Sequence, residues 1–242
     1  MIFRNYTYKR RHCAIIGGQM DSRIILPLDH VAWEQAREIM IKTKGLVWGY
    51  KIRRSILEHG LKVLSDIRTY GKVMLDFKLY DIPSAMTESL SLHIAAGADI
   101  TTVHCSSGYD PSTYGLPRDH IAGVTILTSM QQKDFNRYYK GGNLIDMVAR
   151  MALDATSRYE YLVCSAVDLH RIQNLSIKKI CPGIRPLWYR KSDDQERTAT
   201  PAKAVTNGAD LLVIGRPILG AVDIAEAVQR TNEEIFQALS AG

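Results

Sequence analysis

Short apolar runs recur along the chain, each closed by a polar or charged residue and followed by a stretch with helical spacing. Ile24 to Asp29 reads as a strand ending in an acid, and Trp33 to Thr43 carries apolar residues at helical intervals. Leu46 to Ile52 is a second strand with Lys51 near its far end, and Ser55 to Tyr70 reads as its helix. Lys72 to Leu79 is a third strand, followed by a helix from about Ser84 to Ala96 that Gly97 terminates. Asp99 to His104 is the fourth strand, but Pro111, Gly115 and Pro117 break the segment after it, so the fourth helix is expected to be abbreviated or missing.

The alternation continues to the end of the chain. Ala122 to Leu127 is a fifth strand, and Asn143 to Thr156 a helix with Leu144, Ile145, Val148, Met151 and Ala152 on one face. Tyr159 to Val163 and Ile177 to Cys181 supply strands six and seven, with a short helix over Val167 to Gln173 between them. After the polar segment Pro182 to Ala199, Thr200-Pro201 opens a helix, Leu211 to Ile214 is the eighth strand, and a last helix runs from about Gly220 to Leu239. Eight β-α units in roughly 220 residues predict an α/β fold, a single (β/α)8 TIM barrel over residues 21–242. Residues 1–20, with Arg4, Lys9, Arg10 and Arg11 and no acid, read as a flexible N-terminal extension.

Composition narrows the class only a little. A formal net charge of +6 suits an anionic small molecule as well as a polyanion, because beyond Lys9-Arg10-Arg11 the basic residues are spread along the chain. No nucleic-acid partner is expected. The four cysteines, Cys13, Cys105, Cys164 and Cys181, lack Cys-x-x-Cys spacing, which points to reduced thiols in a cytoplasmic protein and to no metal site. No apolar run approaches the roughly 20 residues needed to span a bilayer, and no signal-peptide pattern is seen, so no membrane association is expected.

Charge at strand ends changes the picture more. In a barrel of this kind the active groups sit at the C-terminal ends of the strands, and Asp29, Lys51, Asp76, Lys78, His104, Ser129 and Arg216 all fall there. Val73, Met74 and Leu75 lead into Asp76-Phe77-Lys78, where alternation along a strand puts the acid and the lysine on one side. Alone, that pair reads equally well as a buried ion pair that fixes a strand; Asp81, just beyond, shifts the balance toward chemistry. Gly215-Arg216, after strand eight and before a helix, stands where such barrels bind phosphate through backbone N–H groups and a cation. His104, Trp33, Trp48 and Trp188 are read as packing residues.

These residues resemble the orotidine 5'-monophosphate decarboxylase family from Ser22 to the last helix. Its Asp-x-Lys-x-x-Asp-Ile-Pro motif is present as Asp76 to Pro83. Leu28-Asp29, Tyr50-Lys51-Ile52, Val103-His104, Leu127 to Met130, Pro182 to Pro186, Asp194-Gln195 and Gly215-Arg216-Pro217 follow the family order. The resemblance implies a Lys51, Asp76, Lys78 and Asp81 catalytic array, with Asp81 serving the neighbouring subunit of a homodimer with shared active sites. It also implies that Asp29 holds a ribose hydroxyl, Ser129 the pyrimidine, and Gln195, Gly215 and Arg216 the phosphate, with Ile82 and Pro182 also contacting the nucleotide. No cofactor and no metal is implied. Where the family carries a threonine four residues after the second motif aspartate this chain has Ala85, with Thr87 two residues on. The alternatives are a related magnesium-dependent decarboxylase of 3-keto-L-gulonate 6-phosphate and a non-catalytic nucleotide-binding barrel.

Overall fold

A computed structural model describes residues 15–16, 19–20, 22–139, 142–189 and 197–241. Eight parallel strands close into a barrel in sequence order: β1 (Ile24–Pro27), β2 (Gly49–Ile52), β3 (Lys72–Leu79), β4 (Ile100–His104), β5 (Ile121–Val124), β6 (Tyr161–Val163), β7 (Lys178–Cys181) and β8 (Leu211–Val213). The eighth strand closes the ring against the first, with Leu212 opposite Ile24 and Val213 opposite Ile25. The predicted fold class therefore holds. The extension read over residues 1–20 lies outside the described residues, apart from an antiparallel pairing of Ile15–Ile16 with Gln19–Met20.

The core has two layers because each strand shows one face to the barrel axis and the other to the helices. Ile25, Met74, Ile100, Ala122, Val124, Val163, Ile180, Leu211 and Val213 fill the interior. A larger cluster, including Ile24, Leu26, Tyr50, Val73 and Leu75, packs outward against helices. Gly49 marks a close approach of backbones: a Cβ there would lie 2.1 Å from the Lys72 carbonyl oxygen.

The helices are α1 (Trp33–Thr43), α2 (Arg54–His59), α3 (Val63–Ile67), α4 (Pro83–Ala95), α5 (Gln132–Tyr138), α6 (Leu144–Arg158), α7 (Leu169–Ile172), α8 (Pro201–Thr206), α9 (Arg216–Leu219) and α10 (Ile224–Ser240). Two expectations need correction. The helix read over Ser55 to Tyr70 is split into α2 and α3, because Gly60 adopts a left-handed φ of 73° that ends the first piece. The last helix, expected from about Gly220, begins at Ile224 after Asp223, whose side chain accepts the Glu226 N–H, and the separate short helix α9 precedes it. Between β4 and β5 the chain makes three single 3-10 turns and no α-helix, as its prolines and glycines require. No helix among the described residues is long and apolar enough to cross a membrane.

Candidate active site

The interior row of each strand continues upward into polar residues. Met74 on β3 is followed two residues later by Asp76, and Ile100 on β4 by Thr102; both polar side chains are buried. Lys51, at the top of β2, completes the layer. Its ammonium bonds to Asp29 Oδ2 and lies 3.1 Å from Asp76 Oδ2, while Lys78 Nζ approaches the same Asp76 oxygen at 2.7 Å. Charges from the ends of β1, β2 and β3 thus form one row, Asp29–Lys51–Asp76–Lys78.

Each charge is stabilised by its neighbours against the cost of burial. Burial alone would push the Lys51 ammonium down, but the carboxylates of Asp76 and Asp29 outweigh it and hold the group above the ordinary lysine value. Burial likewise pushes Asp76 up, and Lys51 and Lys78 together reverse that and hold it below the ordinary carboxylate value. Lys51 and Asp76, at the centre of the row, are therefore both charged at neutral pH. Asp29 Oδ1 is buried with no hydrogen-bond partner, a group left to accept from something other than this chain.

Lys78 does not reach Asp76 by simple alternation. The β3–β4 ladder pairs Leu75 with Thr101 and resumes at Leu79 with Val103, so β3 carries two extra residues across that interval. Within this bulge Lys78 has a φ of 52°, the one non-glycine residue in the left-handed region among the described residues. Such a conformation costs on the order of 1–3 kcal/mol and persists only where the surroundings hold it. Thr102 does so directly, its hydroxyl accepting the Lys78 N–H at 2.8 Å and lying 3.0 Å from Asp76 Oδ1. Phe77, pointing outward, stacks on the ring of His93 at 5.3 Å.

Other residues singled out in the sequence lie around this row. His104 packs edge-on against Tyr80 at 5.6 Å, and burial reinforced by the Lys78 charge pushes its imidazole down, in keeping with a packing residue. Asp81 and Ile82 are exposed; Asp81 Oδ1 accepts the Ile82 N–H at 2.7 Å and makes no ion pair with Lys51 or Lys78 of its own chain. Thr87, two residues beyond Ala85, donates to the Pro83 carbonyl at 2.7 Å and pairs with the Tyr109 hydroxyl at 2.9 Å. Ser129 is exposed in the turn that the Met130 N–H closes onto the Leu127 carbonyl at 2.8 Å.

On the far side of the barrel mouth, Pro182 follows β7, and Arg185 N–H bonds to the Ala199 carbonyl at 2.9 Å, tying together the two ends of the segment between them. Arg197 pairs with buried Asp168, whose carboxyl burial raises despite the guanidinium beside it. Gln195 and Asp194 lie outside the described residues. Gly215 presses on the end of β1, where a Cβ would meet Pro27 Cγ at 2.9 Å, and exposed Arg216 begins α9. Thr102 and Asp168 were not singled out in the sequence. For Thr102 a signal existed: it is the inward-facing polar residue two places after Ile100, in register with Asp76.

The chain resembles known proteins along nearly its whole length. The family described as "Orotidine 5'-phosphate decarboxylase / HUMPS family" matches residues 22–231. A protein named orotidine 5'-phosphate decarboxylase from Vibrio vulnificus (strain YJ016) is 37% identical over 230 residues, covering 89% of this chain and 99% of the relative. One of the same name from Paramagnetospirillum magneticum is 33% identical over 222 residues, covering 84% of this chain and 94% of the relative. The crystal structure of orotidine 5'-phosphate decarboxylase from Lactobacillus acidophilus superposes with a TM-score of 0.72 at 25% identity, covering 89% of this chain and 99% of that one. With the barrel and its charged row in place, the chain belongs to the orotidine 5'-phosphate decarboxylase / HUMPS family.

Proposed function

We propose that the protein decarboxylates orotidine 5'-monophosphate to uridine 5'-monophosphate and CO2, the last step of de novo pyrimidine nucleotide biosynthesis, as a cytoplasmic homodimer. The observation that carries the reading is the row Lys51–Asp76–Lys78, a carboxylate clamped between two ammonium groups at the mouth of an otherwise apolar barrel. In the reaction the bond from ring carbon C6 to the carboxylate breaks, CO2 leaves, the electron pair stays on C6, and a Lys78 proton moves to that carbon.

Two effects compete for credit. Repulsion between Asp76 and a substrate carboxylate about 4 Å away amounts to about 4 kcal/mol at an effective dielectric near 20, or roughly a thousandfold in rate. Enzymes usually supply about 8 kcal/mol or more. The larger share therefore goes to the fixed charges stabilising the developing carbanion, with Lys78 nearest to it. Binding energy from the remote phosphate, held by Gly215 and Arg216, helps position the ring. Asp29 Oδ1 is free to accept a ribose hydroxyl, Ser129 faces the pyrimidine, and Pro182 and Ile82 supply walls.

The sugar-phosphate reading is less well supported. Asp76 meets two ammonium groups at Oδ2 and the Thr102 hydroxyl at Oδ1, surroundings rich in positive charge and donors that disfavour a divalent cation at this carboxylate. The deciding experiment is an assay with orotidine 5'-monophosphate in EDTA, followed by the absorbance change as uridine 5'-monophosphate forms. Turnover is expected; none, together with magnesium-dependent activity on 3-keto-L-gulonate 6-phosphate, overturns the proposal.

Asp81 belongs to the dimer part of the proposal. It is exposed at the entry to α4 and unpaired with its own lysines, as suits a residue that reaches a partner's site. Lys78→Ala and Asp81→Ala chains, each inactive alone, should regain part of the activity when mixed and allowed to exchange subunits. Confirmed hybrids with no recovery argue against shared sites.

A further inference from the structure

Thr102 is fully buried, on the strand next to the catalytic bulge, yet it is engaged by both of the residues that the bulge exists to present. Its hydroxyl has a single proton, and two acceptors are near it: Asp76 Oδ1 at 3.0 Å and the Leu75 carbonyl at 3.5 Å. The charged and closer oxygen is the stronger acceptor. The hydroxyl oxygen in turn accepts the backbone N–H of Lys78 at 2.8 Å. That N–H has left the β3–β4 ladder, because the register breaks between Leu75 and Leu79. A side chain thus supplies the acceptor that the bulge took away.

We infer that Thr102 is a positioning residue for decarboxylation, one hydroxyl that fixes the left-handed backbone at Lys78 and the orientation of the Asp76 carboxylate together. With Oδ1 held by Thr102, Oδ2 is the oxygen turned to Lys51 and Lys78, both of which it meets. The same hydroxyl opposes relaxation of the bulge toward a regular strand, which would change the backbone geometry from which Lys78 meets Asp76. Thr102 touches no substrate; it acts through the two residues that do. This inference rests on the proposed decarboxylation for its kinetic consequence but not for its structural one, so the two can fail separately.

The test compares Thr102→Val, which keeps the shape and removes the hydroxyl, with Thr102→Ser, which keeps the hydroxyl. For Thr102→Val, kcat on orotidine 5'-monophosphate should fall about 30-fold, equivalent to about 2 kcal/mol at 1.36 kcal/mol per tenfold, while the Kd for uridine 5'-monophosphate stays within about threefold. Thr102→Ser should recover most of the loss. Independently of turnover, exchange of the Lys78 amide proton, followed by NMR, should be at least about tenfold faster in Thr102→Val and near wild type in Thr102→Ser.

Unchanged Lys78 exchange and unchanged kcat in Thr102→Val overturn the inference. So does a serine variant as impaired as the valine one, or kcat and nucleotide affinity falling in parallel, since either result describes a packing role. A wild-type protein that leaves orotidine 5'-monophosphate untouched defeats the functional reading instead, and the amide exchange then decides the positioning role alone. Should Thr102→Val not fold, Thr102→Ala against Thr102→Ser repeats the contrast: faster exchange in the alanine variant supports the inference, and equal exchange overturns it.

Discussion

Lys51 and Lys179 are both largely buried lysines on barrel strands, at opposite ends of the barrel, and their surroundings push them in opposite directions. Lys179, near the start of β7, donates to the Leu175 carbonyl at 2.6 Å and the Gln173 carbonyl at 3.4 Å. Burial pushes its ammonium below the ordinary lysine value, only partly opposed by Asp210. Lys51 bonds to two carboxylates and is held above that value. Neutral carbonyls make a lysine part of the scaffold, whereas two carboxylates make it one member of a charge array. Burial of a lysine therefore says little by itself about its role; the charge of its partners says much more.

Substitutions test this contrast, the most severe first. Lys78→Ala removes the proposed proton donor and should lower kcat by about four orders of magnitude or more while uridine 5'-monophosphate still binds, as measured by steady-state kinetics and calorimetry. Substantial residual decarboxylation would sink its assignment as proton donor. Lys51→Met leaves Asp29 and Asp76 without the cation between them, and should cost about 3–5 kcal/mol of stability by urea denaturation as well as most of the activity. Lys179→Met replaces a lysine with an apolar residue of similar volume, and should leave kcat within about twofold and stability within about 1.5 kcal/mol. Loss of activity there would erase the distinction between the two ends.

The smallest effect is in alkali. Lys51, raised in the folded state, contributes stability that is fully present below its ordinary value of 10.5 and is lost as pH rises through the higher folded value. Lys179, lowered in the folded state, gives stability that rises with pH between its folded value and 10.5. Difference curves of unfolding free energy between wild type and each methionine variant should therefore slope in opposite senses, Lys179 below 10.5 and Lys51 above it. At the acid end, Asp76 contributes stability that is present above its ordinary value of 3.8 and is lost as pH falls through its lower folded value. Curves of the same sense for both lysines would contradict the assignment of their partners.

Much of the site was legible because charge at the end of an apolar strand is conspicuous. Asp76 and Lys51 could be placed at strand ends from that alone, the eight-fold alternation supplied the barrel that brings their strands together, and their membership of one array came from the family resemblance. The bulge was not legible. Period-two reasoning put Lys78 beside Asp76 for too simple a reason, since the register break and the left-handed φ depend on how β3 meets β4. Thr102 escaped notice because a threonine in a strand is ordinary until its neighbour across the ladder is known. The helix α5 was missed as well: Phe135 is its one buried residue, so it lacks the apolar stripe that makes a helix visible in sequence.

The order of the strands has a consequence for how the molecule comes into being. Asp29, Lys51, Asp76, Lys78 and Thr102 lie on or just beyond the first four strands, each paired with the next along the chain. These contacts are between consecutive units, and loop-closure entropy is modest for them. The seam is different, for Leu212 must find Ile24 across almost the entire barrel sequence. During synthesis the reactive charges can be gathered by nearest-neighbour strand pairing while β8 is still unmade, and only the closing of that seam brings Gly215 against Pro27. A nascent half-barrel would hold the charged row without the Gly215–Arg216 segment proposed to grip the phosphate, and the proposed site would be complete only at the last strand.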